Sequence, residues 1–102
     1  MARTAPLALL AKFRETAVEA ERDIHAAART GDFANVAAVA HKLKGAAQAA
    51  GAIGVGATAA ALEQAGKAGD RDGCSKLLGP LAANLRSAIF AIEFNSTRPP
   101  SE

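Results

Sequence analysis

The 102-residue chain is predicted to be all-α and to fold as an antiparallel up-down-up-down four-helix bundle. Apolar residues recur at three- and four-residue spacing in four segments, no segment alternates with period two, and short turn signals separate the segments. Half of the residues are apolar, and many of these are alanine, which forms helices readily and lets them approach closely. We place the bundle at residues 1–94 and expect a disordered tail at residues 95–102.

A Thr30-Gly31-Asp32 turn separates the first two predicted helices. Gly31 suits the left-handed position after a helix end, and Asp32 is a good N-cap. Helix one should therefore cover residues 6–29, and helix two residues 33–50. Their predicted buried faces are Leu10, Phe13, Ala17, Ala20, Ile24 and Ala27 in the first helix, and Phe33, Val36, Ala37, Ala40, Leu43, Ala47 and Ala50 in the second.

The third predicted helix follows the Gly-rich break at residues 51–54 and ends near residue 68, before a second Gly-Asp turn at residues 69–70. The fourth helix contains Gly79-Pro80, and a proline inside a helix removes a backbone hydrogen bond. We therefore expect a kink at residues 76–80, or alternatively a separate short helix before it. The predicted buried faces are Val55, Ala59, Leu62 and either Ala65 or Gly66 in helix three, and Leu77, Leu78, Leu81, Leu85, Ala88, Ile89 and Ile92 in helix four.

Composition excludes several classes of function. The net charge is +2 with dispersed basic residues, and there is no tryptophan or tyrosine, so a nucleic-acid partner is not expected. Cys74 is the single cysteine, which excludes an intramolecular disulfide and a cysteine-based metal site. Neither a signal peptide nor a membrane span is evident from the sequence. We expect a soluble cytoplasmic protein, and a monomer, because four helices can complete their own core.

His41 and three other residues share one face of helix two. With His41 at zero, Gly45 lies at about +40°, Gln48 at about −20° and Lys44 at about −60° around the helix. This face points away from the apolar stripe, so His41 should be exposed to solvent. A neutral imidazole has one nitrogen free as a nucleophile, Lys44 could meet an incoming negative charge, and Gly45 removes a side chain that would crowd the ring.

Each of these residues also has a plain structural interpretation. A lone histidine on a helix surface usually has no special function, Lys44 can be a solvated charge, and Gly45 can serve helix packing. No metal ligand lies three or four residues from His41, and the only other histidine, His25, is expected to be an ordinary surface residue. Cys74 is expected to be a small packed residue.

The stretch from Ala40 to Ala47, with sequence AHKLKGAA, resembles the signature of histidine phosphotransfer (HPt) domains, as does the Gly51-Ala52 turn after it. Both Gly-Asp turns and the Ala61-Leu62-Glu63 segment also resemble that family, and the resemblance covers roughly residues 10 to 93. It implies that His41 is the phosphorylation site and that Lys44 and Gly45 support it. Lys42, Gln48, Glu63 and Lys67 are the candidate binding residues around it.

In related domains a glutamine and a basic residue of the third helix approach the histidine. Glu63 and Lys67 occupy the matching positions, and Glu63 departs from glutamine. Without such an approach, Glu63 and Lys67 would form an ordinary surface pair at i,i+4 spacing. We also considered Val36, Ala37 and Gln48 as contacts for a docking partner.

The sequence has no Gly-rich phosphate loop and no cluster of aspartates, so we expect no autonomous kinase activity and no cofactor of its own. The hypothesis is a phosphoryl carrier: a response-regulator receiver domain, with Mg²⁺ on that partner, gives its aspartyl phosphate to His41, and a hybrid histidine kinase supplies the relay. Direct phosphorylation by a histidine kinase and a helical adaptor without phosphotransfer are the alternatives.

Overall fold

The computed structural model describes residues 7–97, with side chains from residue 8 to residue 94. This part of the chain contains four α-helices and no strand: α1 (Leu7–Thr30), α2 (Phe33–Ala50), α3 (Ile53–Lys67) and α4 (Arg71–Thr97). Each helix packs against its neighbours in chain order, and α4 closes the bundle against α1. The predicted antiparallel four-helix bundle is confirmed.

The turns between the helices have the predicted chemistry. The Asp32 side chain accepts a hydrogen bond from the Asn35 backbone N–H at 3.2 Å, and the Asp70 side chain accepts one from the Gly73 N–H at 2.9 Å. Gly51 follows α2 with φ of 78°, a left-handed conformation that glycine adopts without strain. These caps explain why α2 has the predicted bounds, residues 33–50.

The core lies between all four helices and is built from few large side chains. Phe13, Ile24, Leu43, Leu62 and Leu81 are each at most 2% exposed, and burying such a side chain contributes about 1.5–3 kcal/mol. Alanines fill much of the remaining space, so the bundle is only 19 × 18 Å across.

Gly66 marks a close approach between the backbones of α2 and α3. A Cβ atom at this position would lie 2.8 Å from the Ala37 nitrogen and 2.9 Å from the Phe33 oxygen, both backbone atoms that cannot swing aside. Of the two predicted alternatives, Gly66 is therefore the buried residue, whereas Ala65 is half-buried. This contact sets how α3 lies on α2, and thereby which α3 side chains reach His41.

The fourth helix continues through Pro80 without interruption, so the alternative of a separate short helix is wrong. The helix also extends to Thr97, past the predicted domain end at residue 94, and the rest of the predicted tail, residues 98–102, lies outside the described residues. By length and composition alone, the segment Arg71–Phe94 is apolar enough to cross a membrane, which the sequence analysis did not anticipate. A single helix of this kind is weak evidence for a membrane span, because a core helix can pass the same test. Cys74, Leu81 and Leu85 of this segment are packed in the bundle core.

Candidate functional site

His41 lies in the middle of α2 with 67% of its side chain exposed. Lys42, Gly45 and Gln48 are exposed beside it, and Lys44 is half-buried. The predicted solvent-facing position of His41 is therefore present in the structure. Val36 and Ala37 are buried, at 0% and 8% exposure, so the idea that they contact a docking partner is wrong.

Glu63 of α3 is the residue that organises the side chains around His41. Its side chain is only 6% exposed, and its two oxygens have different partners. Oε2 lies 3.0 Å from His41 Nδ1, and Oε1 accepts a hydrogen bond from Lys44 Nζ at 2.7 Å. Lys67 Nζ lies 3.4 Å from Oε2, one helical turn after Glu63. The structure thus brings His41, Lys44, Glu63 and Lys67 together across the α2–α3 contact.

The charge of Glu63 determines which nitrogen of His41 is free. The hydrogen bond from Lys44, with smaller effects of His41 and Lys67, lowers the pKa of Glu63 to about 2 against the opposing effect of burial. The carboxylate is therefore ionised at neutral pH and can only accept hydrogen bonds. His41 Nδ1 must then carry the proton that it donates to Glu63, which leaves the Nε2 lone pair of a neutral ring available as a nucleophile.

Gly45 leaves open space beside the imidazole. A Cβ atom at this position would meet nothing within 4 Å, so helix packing does not explain the glycine. Glycine inside a helix is less stable than alanine by roughly 1 kcal/mol, and no contact within the described residues offsets that difference. That Gly45 gives clearance to a group approaching His41 stays a prediction.

The burial of Glu63 is the feature that the sequence analysis missed. The i,i+4 spacing with Lys67 was compatible with a surface pair, and that pair exists, but Glu63 itself is buried. A signal was present, because Glu63 lies four residues after Ala59 and three before Gly66, which both face the core. Of the residues set aside, His25 is exposed and Cys74 is buried, as expected.

No metal site is evident around this cluster. Within residues 8–94, no group of three or more histidine, cysteine, aspartate or glutamate side chains is placed to hold a metal ion. The cationic side chains of Lys44 and Lys67 surround Glu63 instead.

Comparison with known proteins adds two findings. The family model of the Hpt domain matches residues 8–92. The crystal structure of histidine-containing phosphotransfer protein B from Pseudomonas aeruginosa is similar with a TM-score of 0.86 and 22% sequence identity, over 92% of this chain and 82% of that chain. At this identity the structural likeness shows the fold. No curated protein sequence matches the chain significantly.

Proposed function

Since the chain belongs to the Hpt domain family and is a histidine phosphotransfer protein of a phosphorelay, we propose that His41 is the residue that carries the phosphoryl group. The observation that carries this proposal is the 3.0 Å contact between His41 Nδ1 and the buried Glu63 carboxylate. This contact holds the ring in the tautomer whose Nε2 is the nucleophile, in a side chain that is two-thirds exposed.

The proposed step is a reversible transfer between His41 and an aspartyl phosphate of a partner. The Nε2 lone pair attacks phosphorus, the N–P bond forms, and the P–O bond to the partner's aspartate breaks, so that the aspartate leaves as a carboxylate with the bonding electron pair. The ring keeps its Nδ1 proton and becomes a cationic phosphoimidazole. Glu63, ionised and 3.0 Å away, stabilises that positive charge.

We assign the neutralisation of the negative charge on the transferred phosphoryl group to both this chain and its partner. Lys44 is a flexible cation on the same face as His41, and Lys67, 61% exposed, is held near it through Glu63. Either ammonium group can turn from Glu63 toward a phosphoryl oxygen. The partner supplies Mg²⁺ at its own aspartate, and this chain holds no metal in the proposed reaction.

Members of this family work with response regulators and kinases of phosphorelays. The finer proposal is that a receiver domain is the direct donor and acceptor, and that a hybrid histidine kinase feeds the relay. We further propose that the protein acts as a monomer in the cytoplasm. Sedimentation at the concentration used for transfer tests whether the protein is a monomer, and cell fractionation tests whether it lies in the cytoplasm.

The decisive experiment measures transfer from a panel of phosphorylated receivers to the wild-type protein, to His41→Gln and to His25→Gln. His25→Gln is a matched control, because it removes the only other histidine, which is also exposed. We expect acid-labile, base-stable label on the wild type and on His25→Gln, and none on His41→Gln. Label on His41→Gln at the wild-type rate would exclude His41 as the carrier, and label only from a histidine kinase would exclude the receiver as donor.

A further inference from the structure

A cavity of about 420 Å³ lies in the groove between the C-terminal end of α1 and the N-terminal end of α4. The residues that line this α1–α4 cavity are His25, Ala28 and Arg29 of α1, and Arg71, Ser75 and Leu78 of α4. Ala28 and Leu78 pack against the core and form an apolar floor, while the four polar side chains are exposed. Sites for small molecules commonly have volumes of about 300–1,000 Å³, so the cavity is large enough for such a ligand.

Arg29 and Arg71 bring two positive charges to the α1–α4 cavity, and among the described residues no acidic side chain lines it. Asp72, which follows Arg71 in the chain, pairs with Lys76 at 3.0 Å instead. Within residues 8–94 neither arginine forms an ion pair with a carboxylate, whereas Arg14 does so with Glu93. Two guanidinium groups without a carboxylate partner, beside one cavity, favour an anionic ligand.

The guanidinium group of Arg71 is held in position by the junction of α1 and α2. Its central carbon lies 5.4 Å from the centroid of the Phe33 ring, which is a cation–π contact. Gly31, with φ of 80°, leaves room for it, because a Cβ atom there would lie 3.0 Å from Arg71 Nη2. Stacking uses the face of the guanidinium group and leaves the N–H groups at its edge free to donate hydrogen bonds. Arg71 is therefore pre-organised, which reduces the entropy that is lost when a ligand binds.

We propose that the α1–α4 cavity binds a small organic phosphate monoester. Arg71 donates hydrogen bonds to the phosphate oxygens through its planar N–H groups, and Arg29 adds a second positive charge from the facing helix. The hydroxyl group of Ser75, one turn after Arg71, donates a further hydrogen bond. The organic part of the ester lies on the apolar floor.

The α1–α4 cavity lies on the opposite side of the bundle from His41. The helices pack against each other in chain order, and α4 closes the bundle against α1. His41 and Glu63 meet across the α2–α3 contact, so the core separates them from the groove between α1 and α4. Binding of the ester therefore does not depend on the phosphoryl transfer proposed at His41, and either proposal can fail without the other.

Calorimetric titration with phenyl phosphate tests the site, with inorganic phosphate and phenol as comparison compounds. Phenyl phosphate carries both an anionic group and a small apolar group, and each comparison compound lacks one of them. We expect phenyl phosphate to bind the wild type about tenfold more tightly than either comparison compound, because only the ester uses both the arginines and the apolar floor. Equal affinity for inorganic phosphate would contradict the proposed ester.

Arg71→Gln and Arg86→Gln form a matched pair of variants. Each removes one positive charge from an exposed position of α4, but Arg86 lies outside the cavity. Arg71→Gln should raise the Kd of phenyl phosphate roughly tenfold, and Arg86→Gln should bind as the wild type does. Arg29→Gln, which disturbs no ring contact, should weaken binding similarly and serves as the test if Arg71→Gln does not fold by circular dichroism.

Three outcomes would overturn the proposal. Equal weakening in Arg71→Gln and Arg86→Gln would show that net charge alone attracts the ester. No binding of phenyl phosphate by the wild type at millimolar concentrations would leave Arg29 and Arg71 as partners of the negative C-terminal end of α1 only. Sedimentation of the protein with vesicles that contain phosphatidic acid, without binding of phenyl phosphate, would show that the arginines bind a lipid surface and not a free ester.

Discussion

At the scale of single residues, the hydrogen bond between Glu63 and His41 determines which ring nitrogen holds the proton. An imidazole without such a partner populates both neutral tautomers, whereas an ionised carboxylate at Nδ1 favours the form with a free Nε2. In Glu63→Ala we expect the share of the ring with a proton on Nε2 to rise, and labelling by phosphoramidate to slow. Nitrogen NMR of the histidine ring at alkaline pH, where histidine side chains are neutral, measures the tautomer directly.

Lys67→Ala is the control for that measurement. It removes the more distant cation, 3.4 Å from Glu63, and leaves the 2.7 Å hydrogen bond from Lys44 in place. The tautomer of His41 should stay as in the wild type. An unchanged tautomer in Glu63→Ala would show that Glu63 does not set the proton position.

Because the pKa of Glu63 is lowered in the folded protein, the free energy of unfolding depends on pH in the acid range. Its value is about 2 in the folded protein and 4.5 as the unperturbed reference, so the unfolded state binds the proton more tightly. The resulting stabilisation is fully present above pH 4.5 and is lost as the pH falls toward 2. Urea unfolding from pH 7 to pH 2 should therefore show a difference between the wild type and Glu63→Gln that is constant above about pH 5 and shrinks below it. A difference that stays constant throughout would contradict the lowered pKa.

At the scale of helices, we expect alanine substitutions at two glycines to have opposite effects on stability. Gly66→Ala places a Cβ against the backbone of α2 and should destabilise the fold by about 1–3 kcal/mol. Gly45→Ala meets nothing within 4 Å and should stabilise it by up to about 1 kcal/mol, yet slow transfer from a receiver by narrowing the approach to His41. Urea unfolding and transfer rates of the two variants test both. A Gly45→Ala protein that transfers at the wild-type rate would show that the clearance is not used.

The sequence predicted the helices well where a local signal marks each end. Asp32 caps the N-terminus of α2 and Gly51 its C-terminus, through contacts with nearby residues alone. The predicted limits of α2 are confirmed. For α4 the same local rules left two outcomes open at Pro80, a kink or a separate short helix, and the continuous helix excludes only the second.

The candidate site was only partly predictable, because it depends on how α2 and α3 fit together. The exposed face of His41, Lys44 and Gly45 follows from helix geometry within one element. The position of Glu63 beneath His41 requires the close approach of the two helices at Gly66, which no spacing within α2 or α3 specifies.

At the scale of the whole molecule, the net charge of +2 conceals an uneven distribution. The exposed charges of α2 and α3 are lysines, whereas α1 carries four acidic and four basic residues. Opposite charges on two partners speed their encounter, and added salt screens them over a distance of about 8–10 Å. We therefore expect the rate of transfer from a receiver to fall as salt is added.

The arrangement of these charges, more than their sum, should determine that rate. Lys42→Glu and Lys12→Glu change the net charge equally, but Lys42 lies beside His41 on α2 and Lys12 lies on α1. Lys42→Glu should slow transfer and flatten its dependence on salt, because the positive face that attracts the receiver is weakened. Lys12→Glu should behave as the wild type. If stopped-flow measurements at several salt concentrations show the same loss for both variants, net charge governs the encounter and the charge beside His41 has no special part in it.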